Sequence, residues 1–465
     1  MNPSPTNQLP ARQSSLDNSP DNSSAIDSKT NNSPANESPA PPSIQTPSPS
    51  APPTLWPRLR RRLLGPGLPL LFGLCAFAVL ALFSGHRFFH QSKAPHFIWQ
   101  AQAFLEGSLA LVEDPPNLED YVRQGDRFLV SFPAFPALAM LPGVALFGYR
   151  FNDTSFTVAI AALALALFLA FLRRLKRDGD SDLSDSACLA WAAILGFGTL
   201  FFSCAIRGEV WFTAEIMGVA LTALYLLTAH RARHPLLAGL IYSMATLTRT
   251  PLVFAAAFFV IETFFPDGKL RLADLATDAR AKLQKLALFI VGALPLALAH
   301  MAFNFARFGS VSEFGHRFFW NNRVNADIAQ YGLFDWHYLP RNISAAFLKL
   351  PTISFDPFHI GYDPHGMSLF LTTPLLILLF FPRQKPRLTL ALALTAAAIA
   401  LPGLFYQNDG YMQFGFRFSL DYTPYLIVLL ALGGWSIKNK LFICLAAFGV
   451  AVNTWGAIVF KGFSW

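Results

Sequence analysis

From about residue 68 the chain alternates long apolar runs with short basic clusters, and this alternation limits its fold more than any other feature. The runs fall near 68–83, 156–172, 185–205, 211–229, 236–248, 251–265, 286–304, 367–382, 388–405, 423–436 and 441–459. A hydrocarbon core about 30 Å thick is crossed by about 20 predominantly apolar helical residues, so runs of this kind identify a membrane solvent. Hydrophobic types make up 53% of the 465 residues and charged types only 14%, even though the first 55 residues are almost wholly polar. A water-soluble globular enzyme, a collagenous chain and a disulfide scaffold are excluded as the leading class. The predicted fold class is all-α, a polytopic membrane protein with about eleven transmembrane helices and large extracytoplasmic loops. The four cysteines lie in apolar runs without paired or metal-ligand spacing and read as small buried hydrophobes.

Residues 1–55 hold 12 of the 34 prolines, no Cys, Phe, Tyr or Trp, and two basic against four acidic residues. Such a segment cannot bury enough surface to offset its ordering entropy, so it is expected to be a disordered cytoplasmic tail. Residues 56–465 form the transmembrane domain. The basic run from Arg58 to Arg62 precedes the first apolar stretch as in an uncleaved signal anchor. Threading the remaining runs alternately places the clusters at 172–177, 231–234, 267–285, 383–387 and 438–440 on the cytoplasmic side. The net charge of +8 is therefore a topology signal, and nucleic acid is not an expected partner.

The same thread puts segments 85–155, 305–366 and 406–422 outside, together with the C-terminus. Segment 132–148 is apolar, but its three prolines impair a straight helix, and a crossing there would invert every later cluster. It reads as an interfacial or re-entrant segment on the outer side. The runs 236–248 and 251–265 are short, with Arg249 between them, so both are expected to stop beneath a water-filled cavity. The acidic run DGDSDLSD at 178–185 lacks the spacing of a calcium loop and reads as a solvated connection.

Several polar residues stand out against this apolar background. Arg207 and Glu209 flank Gly208 beside Trp211: they form either a boundary ion pair or a phosphate contact with a carboxylate that orients a hydroxyl. Arg249 between apolar runs must snorkel, pair or bind an anion, and a guanidinium suits a phosphate through two parallel hydrogen bonds. Segment 406–425 carries Asp409, Gln413, Arg417 and Asp421 among Tyr and Phe residues, which fits a sugar site or an interfacial aromatic belt equally. Its FGFRF echoes FGHRF at 314–318, a match short enough to be a shared local turn. In the first outer segment His96, Gln100, Glu106, Glu113, Asp114, Glu119, Asp120 and Asp126 are the polar candidates. Outer acids could hold a divalent metal ion, although no ligand spacing compels one and no cofactor is required.

With these features in place, the chain resembles the GT-C type integral membrane glycosyltransferases, including bacterial relatives of the protein mannosyltransferases and of the lipid A aminoarabinose transferase. The likeness covers about residues 66–265. It rests on the cytoplasmic start, the long outer loop after the first span, SFPAFPALAMLPGVALFG at 131–148, and GLIYSMATLTRTP at 239–251. The resemblance implies inverting transfer of a sugar from a polyprenyl phosphate-linked donor to a lipid, glycan or protein acceptor of the cell envelope. It further implies residence in a bacterial cytoplasmic (inner) membrane, surrounded by membrane lipids. The family's acid soon after the first span has no counterpart, since residues 84–100 contain no Asp or Glu, and His96 or Gln100 stands near its place. Glu209, Asp126 and His96 are accordingly the expected catalytic residues, with Arg249, Arg207, Gln100, Asp409, Arg417 and Asp421 expected to bind substrate. A transporter or flippase for a lipid-linked substrate and a noncatalytic envelope assembly protein are the competing readings.

Overall fold

Helix formation follows the apolar runs because a backbone in lipid must satisfy its own hydrogen bonds. The computed structural model of the protein describes residues 65–115, 117–319 and 322–460; the polar tail and the last five residues lie outside that range. Helix α1 spans Leu68–Ser84, and a 3-10 turn carries it to Phe89. The outer segment then forms helix α2 (His96–Leu105), the antiparallel hairpin β1 (Tyr121–Gln124) and β2 (Arg127–Val130), and helix α3 (Phe135–Phe147). At 13 residues α3 is about 20 Å long, too short to cross a bilayer.

Helix α4 (Asp153–Arg177) shows how local sequence sets an element. The Asn152 side chain accepts the Ser155 N–H at its start, Asp153 lies in the first turn, and Arg174, Lys176 and Arg177 lie in the last, each charge favoured by the helix dipole. Helices α5 (Asp185–Phe197), α6 (Val210–Ala229), α7 (Pro235–Thr246), α8 (Ala256–Phe264) and α9 (Ala279–Phe308) follow. Beyond them come α10 (Asn322–Tyr331), the hairpin β3 (Thr352–Phe355) and β4 (Phe358–Gly361), α11 (Thr389–Leu404), α12 (Thr423–Leu432) and α13 (Lys440–Val459).

The protein is an all-α polytopic membrane protein. Among the described residues, five helices are long and apolar enough to cross a membrane by length and composition: Leu68–Phe89, Asp153–Arg177, Val210–Ala232, Ala279–Phe308 and Lys440–Val459. Five shorter apolar helices account for other expected spans, and the run 367–382 instead forms a four-residue helix and a 3-10 stretch interrupted at Pro374. Helix α6 is the buried centre of the bundle, whereas α9 exposes Leu283, Leu288, Ile290, Val291, Leu294 and Leu298. In a bilayer such an apolar surface faces lipid. Helix α9 joins the bundle through α7, where Gly239 and Gly292 pack so closely that a Cβ at either would fall 1.9 or 2.0 Å from a carbonyl oxygen of the other helix.

The basic clusters gather at the end of the bundle where α4 and α6 finish. Asp180 there accepts hydrogen bonds from Arg387 and Arg231, and Asp178 pairs with Arg174 and Arg233. Asp180 is 4% exposed, so the run expected as a solvated connection is in part a buried ion-pair hub. It gathers charges separated by more than two hundred residues, which a local reading could not pair. The four cysteines are free; Cys188 and Cys204 are buried as expected, whereas Cys75 and Cys444 are exposed on the apolar surface of their helices, which corrects the expectation that all four are buried.

Candidate functional site

At the opposite end of the bundle, buried charges from four separate segments converge around α6. The break between α7 and α8 supplies the first. Helix α7 ends at Thr246, and Arg249 adopts an extended conformation (φ −138°, ψ 110°) as the residue that precedes the 3-10 turn Thr250–Ala255, which carries Pro251 at its start. Gly218 of α6 leaves room for the Arg249 stem, since a Cβ there would approach its Cγ to 3.0 Å. The guanidinium then forms a bidentate fork on Asp421, with Nε donating to Oδ1 at 2.9 Å and Nη2 to Oδ2 at 2.7 Å. Arg249 and Asp421, both expected as ligand contacts, are thus each other's partners.

Asp421 closes a 3-10 turn that begins at Arg417, and both segments of the FGHRF/FGFRF echo form such turns. Gln413 holds the start of this turn, accepting the Arg417 backbone N–H at 2.9 Å while its own amide donates to the carbonyls of Asp409 and His365. The Arg417 side chain is 5% exposed, lies 5.4 Å from each of the Phe212 and Phe418 ring centroids, and sits 3.7 Å from Glu215 Oε1. Its buried Nε and Nη1 have no hydrogen-bond partner. An arginine in this state is a preformed anion receptor, because an unpaired buried donor carries an uncompensated desolvation cost.

The first outer segment supplies a carboxylate on the far side. Asp120 has a left-handed backbone (φ 54°), uncommon outside glycine, and its Oδ2 accepts the Trp211 indole N–H at 2.8 Å. Burial raises the Asp120 pKa, opposed by the Trp211 hydrogen bond and by the nearby positive charge of Arg417. Tyr406, whose pKa burial pushes up to about 12, lies within the electrostatic reach of both Asp120 and Arg249. The arrangement offers one acid poised to take a proton and a guanidinium poised to take a developing negative charge.

The other expected residues occupy supporting or separate places. His96 is fully buried, stacks on Tyr121 at 3.9 Å, touches the Trp211 ring and donates from Nε2 to the Glu119 carbonyl at 2.7 Å. Burial lowers its pKa to about 4, so it is neutral near pH 7 and braces the Asp120 turn from beneath. Gln100 is also buried. Glu209 pairs with the fully buried Arg207 at 3.5 Å, and Arg207 lies 4.2 Å over the Phe460 ring. Asp409 takes the His365 Nδ1 at 2.6 Å. Asp126 lies exposed at the tip of the β1–β2 hairpin, away from the cluster.

Two members of the cluster were not among the expected site residues. Glu215 had a detectable signal, being a carboxylate inside the apolar run WFTAEIMG, one helical turn beyond Trp211. Asp120 had none beyond its acidity, since only the fold brings it to Trp211 across 91 residues. Among the described residues no group of three or more His, Cys, Asp or Glu is placed to hold a metal ion.

No protein-family model and no curated protein matches the chain. Among solved structures it is similar to the oligosaccharyltransferase of Archaeoglobus fulgidus in the apo form, with 11% identity and a TM-score of 0.44 over 84% of this chain and 57% of that one. It is similar to ArnT from Cupriavidus metallidurans bound to undecaprenyl phosphate, with 14% identity and a TM-score of 0.44 over 80% of this chain and 61% of that one. A third likeness is to the A. fulgidus oligosaccharyltransferase AglB in complex with an inhibitory peptide and a dolichol-phosphate, with 12% identity and a TM-score of 0.43 over 84% and 56%. The chain spans about three fifths of the length of these solved structures.

Proposed function

We propose that the charged cluster of Asp120 and Arg417 binds the sugar-phosphate head of a polyprenyl phosphate-linked donor, and that the protein transfers the sugar with inversion to an acceptor of the cell envelope. The observation that carries this reading is Arg417, a buried guanidinium with two nitrogens that lack a hydrogen-bond partner among the described residues, whose charge acts on the half-buried, indole-held carboxyl of Asp120. In this scheme the acceptor oxygen attacks the anomeric carbon as its proton passes to Asp120. The bond from that carbon to the phosphate oxygen breaks, the electron pair leaves with the lipid phosphate, and Arg417 stabilises the charge. Arg249, fixed by Asp421, adds a second guanidinium to the cluster, and His96 and Trp211 position Asp120. The donor's tail stays in the bilayer. The basic clusters favour a bacterial inner membrane orientation with the N-terminus in the cytoplasm and the reaction on the extracytoplasmic face.

The test is native mass spectrometry of the full chain in mild detergent with added undecaprenyl phosphate, followed by a sugar-transfer assay on the same preparations. Arg417→Ala is expected to lose the lipid adduct, while Asp120→Asn keeps the adduct and loses transfer. An adduct of wild-type abundance in a folded Arg417→Ala protein, or wild-type turnover in Asp120→Asn, overturns the proposal.

A further inference from the structure

The basic end of the bundle contains a separate cavity of about 420 Å³, within the size range of small-ligand sites. Its charged lining consists of Arg231, Lys282, Lys285 and Arg387 against Glu262 and Asp278. Arg231 lies at the far end of the helical segment that carries Glu215, 16 residues or about 24 Å along the axis, so this cavity is distinct from the Asp120–Arg417 cluster.

Its cations are held differently from an ordinary ion-pair cluster. Arg387 and Arg231 are fixed by Asp180 behind the cavity, and Glu262 accepts from Arg387 Nη1 at 2.7 Å and from the Arg231 backbone N–H at 2.8 Å. The Lys282 ammonium donates to the carbonyls of Phe264 and Asp274 and has no ion-pair partner among the described residues. Lys285, three residues along the same helix, has neither a hydrogen bond nor an ion pair among the described residues and is exposed. Even with Asp180 counted against the six lining charges, the set keeps a positive excess. On α9 the exposed Leu288 follows one turn beyond Lys285 on the same side, and Leu283 and Ile290 are exposed together on another side of the helix. A ligand matching these neighbours has a phosphate at the lysines and acyl chains along α9.

We propose that this cavity is a binding site for the phosphate headgroup of an anionic phospholipid of the leaflet that meets the basic end, entered sideways along α9. The proposal is independent of the sugar-transfer reading. It is tested by native mass spectrometry of the full chain in detergent, titrated with phosphatidylglycerol, with phosphatidylcholine, and with phosphatidylglycerol in the presence of millimolar inorganic phosphate. The expected result is preferential phosphatidylglycerol adducts, weakened about tenfold in Lys282→Ala/Lys285→Ala. Lys285→Ala alone, which removes a side chain without partners, should show a smaller loss with unchanged thermal unfolding. Equal adducts of the two lipids, or unchanged phosphatidylglycerol binding in both variants, overturns the site. Displacement of the lipid by inorganic phosphate overturns the lipid assignment and makes the cavity a site for free phosphate.

Discussion

Gly239→Ala tests how the bundle positions its site. A Cβ at this residue would fall 1.9 Å from the Phe289 carbonyl oxygen, 2.8 Å from its carbonyl carbon and 3.0 Å from the Ala293 nitrogen. All three neighbours are backbone atoms of α9, so no rotamer change relieves the contact, and α7 and α9 must separate by roughly 1.5 Å to restore van der Waals distance. That movement would carry the Ser243 hydroxyl, 2.9 Å from the Ala293 carbonyl, beyond hydrogen-bond range and loosen the 5.2 Å contact between the Tyr242 and Phe289 rings. Overpacking costs about 1–3 kcal/mol and a lost hydrogen bond about 1 kcal/mol, a total of roughly 2–4 kcal/mol. Because the chain beyond α7 carries Arg249, the Arg249–Asp421 fork should loosen as well. Thermal unfolding of the detergent-solubilised protein gives the comparison, with Gly403→Ala as a control, since a Cβ at that helical glycine meets nothing within 4 Å. The control should match the wild type or gain about 0.5–1 kcal/mol from the lower chain entropy of alanine. Equal unfolding temperatures for Gly239→Ala and the wild type would refute the close approach of the two helices.

Three further outcomes are expected. Asp421→Asn should destabilise by about 3 kcal/mol because it strips the charge partner from a largely buried arginine; in the same series Arg249→Ala should cost less on the Asp421→Asn background than alone, and additive costs would show the two side chains to be uncoupled. For His96, the folded pKa of about 4 lies below the ordinary histidine value of 6.5, so the unfolded chain binds more protons between these values. Its share of stability is complete above pH 6.5 and falls by up to about 3 kcal/mol as the pH drops towards 4. His96→Gln should flatten that part of an unfolding-versus-pH curve, and an unchanged slope would count against burial of the neutral ring. Asp126→Asn, at an exposed hairpin tip, should alter stability by no more than about 0.5 kcal/mol and leave sugar transfer intact. A large loss of transfer would restore Asp126 to the reaction.

Much of the architecture was legible from order along the chain. Apolar runs marked the helices, prolines shortened α3 and broke the run around Pro374, and Arg249 marked the gap between α7 and α8. These are local effects: a proline removes its own N–H, and a segment in lipid satisfies its backbone within itself. Helix lengths were less legible, because a short apolar helix and a spanning one differ in their ends, and those depend on packing against neighbours.

Individual site residues were legible as chemical types and not as partners. Arg249, Arg417 and Asp421 stood out because charge beside apolar sequence is costly, yet the sequence could not say whether each bound a ligand or another side chain. Tertiary structure joined Arg249 to Asp421 across 172 residues, turned His96 into a brace, left Asp126 at a hairpin tip and set Asp120 against Trp211. The sequence by itself determined a helical membrane protein with charges set between its apolar runs, because hydrophobicity and backbone hydrogen bonding act over a few turns. Only the fold decided which buried charges neutralise one another and which, like Arg417, keep free donors, because pairing energies depend on distances between segments that the chain order does not contain.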